Sequence, residues 1–136
     1  MTVRLKQSDF DAIVARAKAG LPNEICGLIA GRIENGAKTV EKVYLLSNLD
    51  QSPEHFSIDC KEQLAAIKDM RGLGFAPLGN FHSHPSTPAR PSAEDIRLAY
   101  DPGASYLILS LAEETPVLKA FEVAGGVATP QPLVIE

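Results

Sequence analysis

The sequence predicts an α+β fold. Three stretches carry helix caps and one-face apolar spacing, six or seven carry strand-like apolar runs, and hairpin turns stand between strand runs in both halves of the chain. At 136 residues the chain is long enough to bury one core without staples, and residues 1–136 read as a single domain. Hydrophobic residues make up 45% and charged residues 22%, as in an ordinary globular protein. The net charge is −4 and no basic run occurs, which leaves nucleic acid or an anionic membrane surface little to hold. Cys26 and Cys60 form no metal-type spacing, and no signal peptide or bilayer-length apolar stretch is seen. A reducing cytoplasm is the expected location.

Taken in order, Ser8 to Ala19 reads as the first helix, with Ser8 as cap, Phe10, Ile13, Val14 and Ala17 on one face, and Gly20 followed by Leu21-Pro22 as the stop. Glu24 to Arg32 is an apolar run that suits a buried strand, with Cys26 as a small buried side chain. Glu34-Asn35-Gly36 signals a hairpin, and Thr39 to Ser47 is the return strand. A polar loop, Asn48 to Glu54, leads into a short extended piece from His55 to Ile58, where His55 reads as a surface residue or one lining a groove. Asp59-Cys60-Lys61-Glu62 has capping-box form and opens a second helix, which ends near Gly72 and Gly74. Pro77 to Phe81 is the approach to a strand, and a third helix is expected from Ser92 to about Tyr100, closed by an Asp101-Pro102-Gly103 turn. Three strand runs follow, Ser105 to Ser110, Val117 to Val123 and Val127 to Ile135, separated by Glu113 to Pro116 and by Gly125-Gly126.

The chemistry concentrates in Phe81 to Asp95. A strand alternates its side chains between faces, so His82 and His84 share one face and can grip one ion. Pro85 ends the strand, Pro88 and Pro91 stiffen the loop, and Ser92 opens a helical turn that carries Asp95, where a carboxylate also suits the helix dipole. Two histidines and an aspartate leave the fourth position of a tetrahedral zinc site open, as in catalytic sites. Each residue also has a plainer reading. Ser92-x-x-Asp95 is a variant capping box, strand-end histidines are often merely solvated, and Glu24 is the last solvated position before a buried strand. Yet two of the three histidines fall in one pair directly before a Pro-stiffened turn and an aspartate, which favours the joint reading.

His82-x-His84-Pro85, then Ser92-x-x-Asp95, with Glu24-x-x-Gly27 far upstream, resembles the signature of the JAMM (MPN+) metalloproteases. The resemblance implies the MPN fold, a curved, mostly antiparallel mixed sheet flanked by helices, with cytidine-deaminase-like architecture. It implies one Zn²⁺ per chain on His82, His84 and Asp95, with Glu24 as general base and Ser92 as donor to the oxyanion. Family members cleave amide or isopeptide bonds after the C-terminal tail of ubiquitin-like proteins. The short connections resemble prokaryotic stand-alone members, some of which process small sulfur carriers of the ubiquitin-like β-grasp fold at their terminal Gly-Gly. A zinc peptidase acting on such a carrier is the expected function. A deubiquitinase-like isopeptidase and a non-catalytic MPN scaffold are the alternatives, the scaffold disfavoured because all five functional positions are filled. A nucleoside deaminase would show His-x-Glu with Pro-Cys-x-x-Cys, and a common zinc protease His-Glu-x-x-His; neither occurs. An exposed sheet edge could support a homodimer.

Overall fold

A computed structural model describes residues 1–136. In chain order the elements are β1 (Thr2–Leu5), α1 (Gln7–Gly20), β2 (Cys26–Glu34), β3 (Ala37–Leu46), α2 (Cys60–Gly72), β4 (Ala76–His84), α3 (Ala93–Arg97), β5 (Ser105–Ser110), β6 (Val117–Ala124), β7 (Val127–Gln131) and β8 (Leu133–Ile135). All eight strands form one sheet in the order β7-β6-β5-β4-β2-β3-β1-β8. Four of its seven strand pairs are antiparallel and three parallel, which makes it mixed. The two edge strands, β7 and β8, are separated in sequence by Pro132 alone, so the sheet must curl until its edges meet at that corner. There Val3 N donates to Pro132 O at 2.9 Å.

The turns form for the reasons their residues suggest. Asn35 and Gly36 both have positive φ, as do Gly125 and Gly126, the requirement of tight two-residue hairpins. One face of the sheet packs on α1 through Ile13, Ala17, Ile29, Val40, Phe81 and Leu107. The other face carries Leu28 and Asn80 beside Ile67 and Met70 of α2. A buried ammonium closes the far end of β4: Lys38 Nζ donates to Leu78 O (3.3 Å), Gly103 O (2.7 Å) and Ser105 Oγ (2.8 Å). Those three acceptors satisfy a cation that would otherwise be costly to bury.

Several expectations change. β1 is an added strand, its four residues with one buried alternation giving too little period to predict it. The run from Val127 to Ile135 is two strands on opposite edges, since Pro132 cannot continue a ladder. Helix α1 starts at Gln7 with Lys6 at its cap and no side-chain cap bond, so Ser8 lies inside the first turn. Asp59 does cap α2 through Lys61 N, but Glu62 does not close the box; its carboxylate accepts from Ser47 N at 3.1 Å. Helix α3 is five residues long and stops at Arg97, well short of Tyr100, which is 82% exposed.

The glycine of Glu24-x-x-Gly27 has a packing reason. A Cβ at Gly27 would stand 2.0 Å from Tyr44 O and 2.2 Å from the Phe81 ring, closer than any real contact. Gly27→Ala should therefore lower folding stability by about 3 kcal/mol or more, read as a drop in the chemical denaturation midpoint; an unchanged midpoint would refute the packing argument.

Candidate metal centre

β4 is the middle of the site. Its neighbours β2 and β5 align Cys26 and Ile108 with His82, and β5 aligns Ser110 with His84. Beyond the end of β2 the antiparallel pairing is continued by two bonds: Ser83 N donates to Ile25 O (3.0 Å), and Ile25 N donates to the Ser83 hydroxyl (2.9 Å). This register brings Glu24 beside His84. Ser83 thus points away from the histidines and holds the neighbouring segment in place. The Glu24 backbone is fixed as well, its N–H donating to Ser52 O (2.8 Å) and its carbonyl accepting from the Asn48 amide (3.0 Å).

On the other side, Leu111 N donates to His84 O (3.0 Å) and the Ser110 hydroxyl to Thr87 O (2.6 Å), which pins the proline-stiffened loop. That loop delivers α3. Ser92 Oγ accepts from Asp95 N (3.0 Å) while Ser92 N donates to Asp95 Oδ2 (2.9 Å), a complete capping box. The same Oδ2 lies 3.1 Å from His82 Nε2 and 3.1 Å from His84 Nε2, and the two nitrogens are 3.1 Å apart. One oxygen thus closes the cap and faces both histidines.

These three atoms fit a metal ion. Donors bonded to one tetrahedral zinc at about 2.0–2.2 Å lie roughly 3.3–3.6 Å from each other, close to the triangle found here. The donor chemistry agrees. Pro88 O can only accept, so at 2.9 Å it assigns a proton to His84 Nδ1 and leaves a lone pair available on Nε2. Two imidazole nitrogens and a carboxylate oxygen at mutual contact need positive charge between them. Burial pushes the His82 ring toward its neutral form. Burial works to raise the Asp95 carboxyl too, yet the His82 and His84 rings and the Ser92 N–H hold it well below the usual carboxylate range. Burial opposes charge on His84 too, but Asp95 and the Pro88 carbonyl raise its pKa, so the Asp95 anion faces one ring held neutral and one held toward its protonated form.

Glu24 is 5% exposed, and its Oε1 is buried with no hydrogen-bond partner. Burial, against the opposing pull of His84, pushes its pKa up to about 7. A carboxylate so poised can accept or release a proton near neutrality. Cys26 is fully buried with its thiol pushed up to about 11 by burial, so it acts as a small apolar side chain. His55 lies at the rim of the site with its ring half exposed and paired with Glu94 of α3.

A cleft of about 380 Å³ opens from His82 and Asp95 and runs past Phe56, Asn80, Tyr106 and Ile108. Sequence reasoning did not find Phe56, Asn48 or Asn80. Phe56 carried a signal in retrospect, being the one large aromatic residue in a polar connection between Asn48 and Asp59.

The family model described as prokaryotic homologs of the JAB domain matches residues 6–123. The CysO-cysteine peptidase of Mycobacterium tuberculosis is 32% identical over 124 residues, covering 90% of this chain and 84% of the relative. The desampylase of Haloferax volcanii is 33% identical over 105 residues, 74% of each chain. A protein of Desulfitobacterium hafniense solved in solution is 52% identical with a TM-score of 0.90, over 100% of this chain and 93% of that one.

The buried Glu24 sets a pH dependence. Its folded pKa, about 7, lies above the ordinary glutamate value of 4.5, so folding favours the protonated form. That contribution is fully present below about pH 4.5 and is lost as the pH rises through about 7. In metal-free protein, Glu24→Gln should gain stability over the natural chain with rising pH, by about 2–3 kcal/mol between pH 5 and pH 8. Denaturant titrations across that range would test it; a difference independent of pH would mean that burial does not control this carboxyl.

Proposed function

As this chain belongs to the prokaryotic JAB-domain family, we propose that it is a zinc-dependent peptidase that cleaves after the terminal Gly-Gly of a small ubiquitin-like sulfur carrier. The observation that carries the reading is the donor triangle of His82, His84 and Asp95 with a buried, unpartnered Glu24 carboxylate in the adjoining segment. The relatives support the substrate class, since one carries the name of a peptidase of a CysO-cysteine species and another that of a desampylase.

His82, His84 and Asp95 are the residues that would hold the ion. When bound, zinc supplies Lewis-acid polarisation of a carbonyl and a water whose pKa falls to roughly 7. Glu24 takes the proton of the attacking water and passes it to the leaving amine, a task suited to a carboxyl that titrates near 7. Its unpartnered oxygen has no competing donor to displace. The Ser92 hydroxyl accepts from Asp95 N, which leaves its own proton to be donated to the developing oxyanion, worth about 3 kcal/mol in comparable sites. The acyl side of the substrate lies in the cleft beside His82, over the strand floor formed by Asn80, Tyr106 and Ile108. Its partly apolar floor, laid along strand residues, suits a tail of small residues.

A second reading has its own support. A Thermus thermophilus relative bears the name of a probable protein-conjugate cleaving protease, and release of a ubiquitin-like protein from a lysine conjugate would use the same machinery on another leaving amine.

Intact-mass spectrometry of a ubiquitin-like sulfur carrier extended by one to several residues after Gly-Gly is the test. Zinc-loaded protein should yield a product ending at Gly-Gly, and Glu24→Gln should retain zinc while losing about 10²-fold or more in turnover. Cleavage of an isopeptide-linked conjugate but not of the extended carrier would transfer the assignment to the second reading. Near-normal turnover by Glu24→Gln would sink the general-base role.

A further inference from the structure

The two histidines of the triangle are held in different ways. His84 is fixed through its second nitrogen, whose N–H donates to Pro88 O at 2.9 Å. His82 has no such support: its Nδ1 is buried and has no hydrogen-bond partner. Metal-binding histidines generally donate that N–H to a carboxylate, a carbonyl or water, and the bond sets the rotation of the ring. In its place Phe56 lies over the imidazole, with ring centroids 4.6 Å apart and planes inclined by 23°.

We propose that Phe56 is the positioning residue for His82, its flat face doing for this ring what the Pro88 carbonyl does for His84. Rotation of the imidazole about its Cβ–Cγ bond would drive a ring edge into the phenyl face. Stacking therefore holds the one orientation in which Nε2 meets His84 Nε2 and Asp95 Oδ2 at 3.1 Å. The bare Nδ1 is buried, so no solvent draws the imidazole toward a different tilt.

For this to work Phe56 must itself be held, and the chain on both sides of it is. The Asn48 amide donates to His55 O (2.9 Å), and its oxygen accepts from Ser57 N (3.0 Å), so one side chain grips the residues before and after Phe56. The same amide donates to Glu24 O (3.0 Å), which ties the loop to the segment that carries the general base. Across the cleft the His55 ring pairs with Glu94, one residue from Asp95. The loop is thus referenced to both of the other parts of the site.

The inference rests on His82, His84 and Asp95 being the metal ligands, and its test needs no carrier protein. Zinc affinity by competition with a chromophoric chelator, together with the visible absorption of the Co²⁺-substituted protein, would be measured for the natural chain and for Phe56→Leu, Phe56→Met and Phe56→Tyr. Leu and Met fill the space without a flat face, and both should weaken zinc binding about 10–100-fold and shift the Co²⁺ bands, whereas Tyr should stay within about threefold. Two aliphatic variants are used so that a folding defect in one, visible in the metal-free melting curve, leaves the other to decide. Wild-type affinity and an unchanged Co²⁺ spectrum in Leu or Met would overturn the positioning role while leaving the ligand reading intact. A natural chain that binds no zinc would remove the ligand reading and this inference together.

Discussion

Two hydrogen bonds at the end of the β2–β4 pairing hold the site together. The motif histidines and the glutamate lie nearly sixty residues apart in sequence, and they become neighbours only because Ser83 and Ile25 continue the ladder past the last regular pair. One of the two bonds uses a side chain in place of a backbone carbonyl. That substitution lets β4 end at His84 while still gripping the chain that leads into β2. The serine is buried, so its hydroxyl has no solvent to compensate for a lost partner. Gly27 belongs to the same arrangement, because Phe81 and Tyr44 O approach so closely that β2 could not lie against β4 with a larger residue there.

The part of the site that was legible in the sequence is the part written in local spacing. His82 and His84 two apart on a strand, and Ser92 and Asp95 three apart at a helix start, are geometries fixed by the backbone period, and the structure keeps both. The competing capping reading of Ser92 and Asp95 did not have to lose. Asp95 Oδ2 accepts the cap bond and faces both histidines at once, an overlap that residue spacing alone does not reveal. Asn48, Phe56 and Lys38 were not legible, because each acts on partners far along the chain and sits in a stretch with no period of its own. Lys38 reads as an exposed strand residue by type, yet it is buried among three acceptors that the sequence scatters over residues 78 to 105. One border of the sheet was lost for a related reason: β1 and the edge strand β8 are too short to show alternation, and they are strands only because β1 pairs with β3 and β8.

The site's electrostatics set folding and chemistry against each other. Glu24 is kept in a place where its charge is disfavoured, with one oxygen unpartnered, and Asp95 is kept ionised between two rings whose charge burial opposes, His84 being raised against that burial by Asp95 and the Pro88 carbonyl. A sequence selected for stability alone would pair or remove these groups. Here the stabilising contacts lie one step back, in Ser83, Asn48, the Pro88 carbonyl and the Ser110 to Thr87 bond, each of which holds backbone or a ring and none of which neutralises Glu24. A donor placed on Glu24 Oε1 would have stabilised the charged form, and its pKa would have fallen from about 7 toward the ordinary carboxylate range, leaving a weaker base. The unpartnered oxygen is therefore consistent with the rest of the fold rather than a defect in it: the surrounding framework fixes where Glu24 is and leaves open which protonation state it adopts.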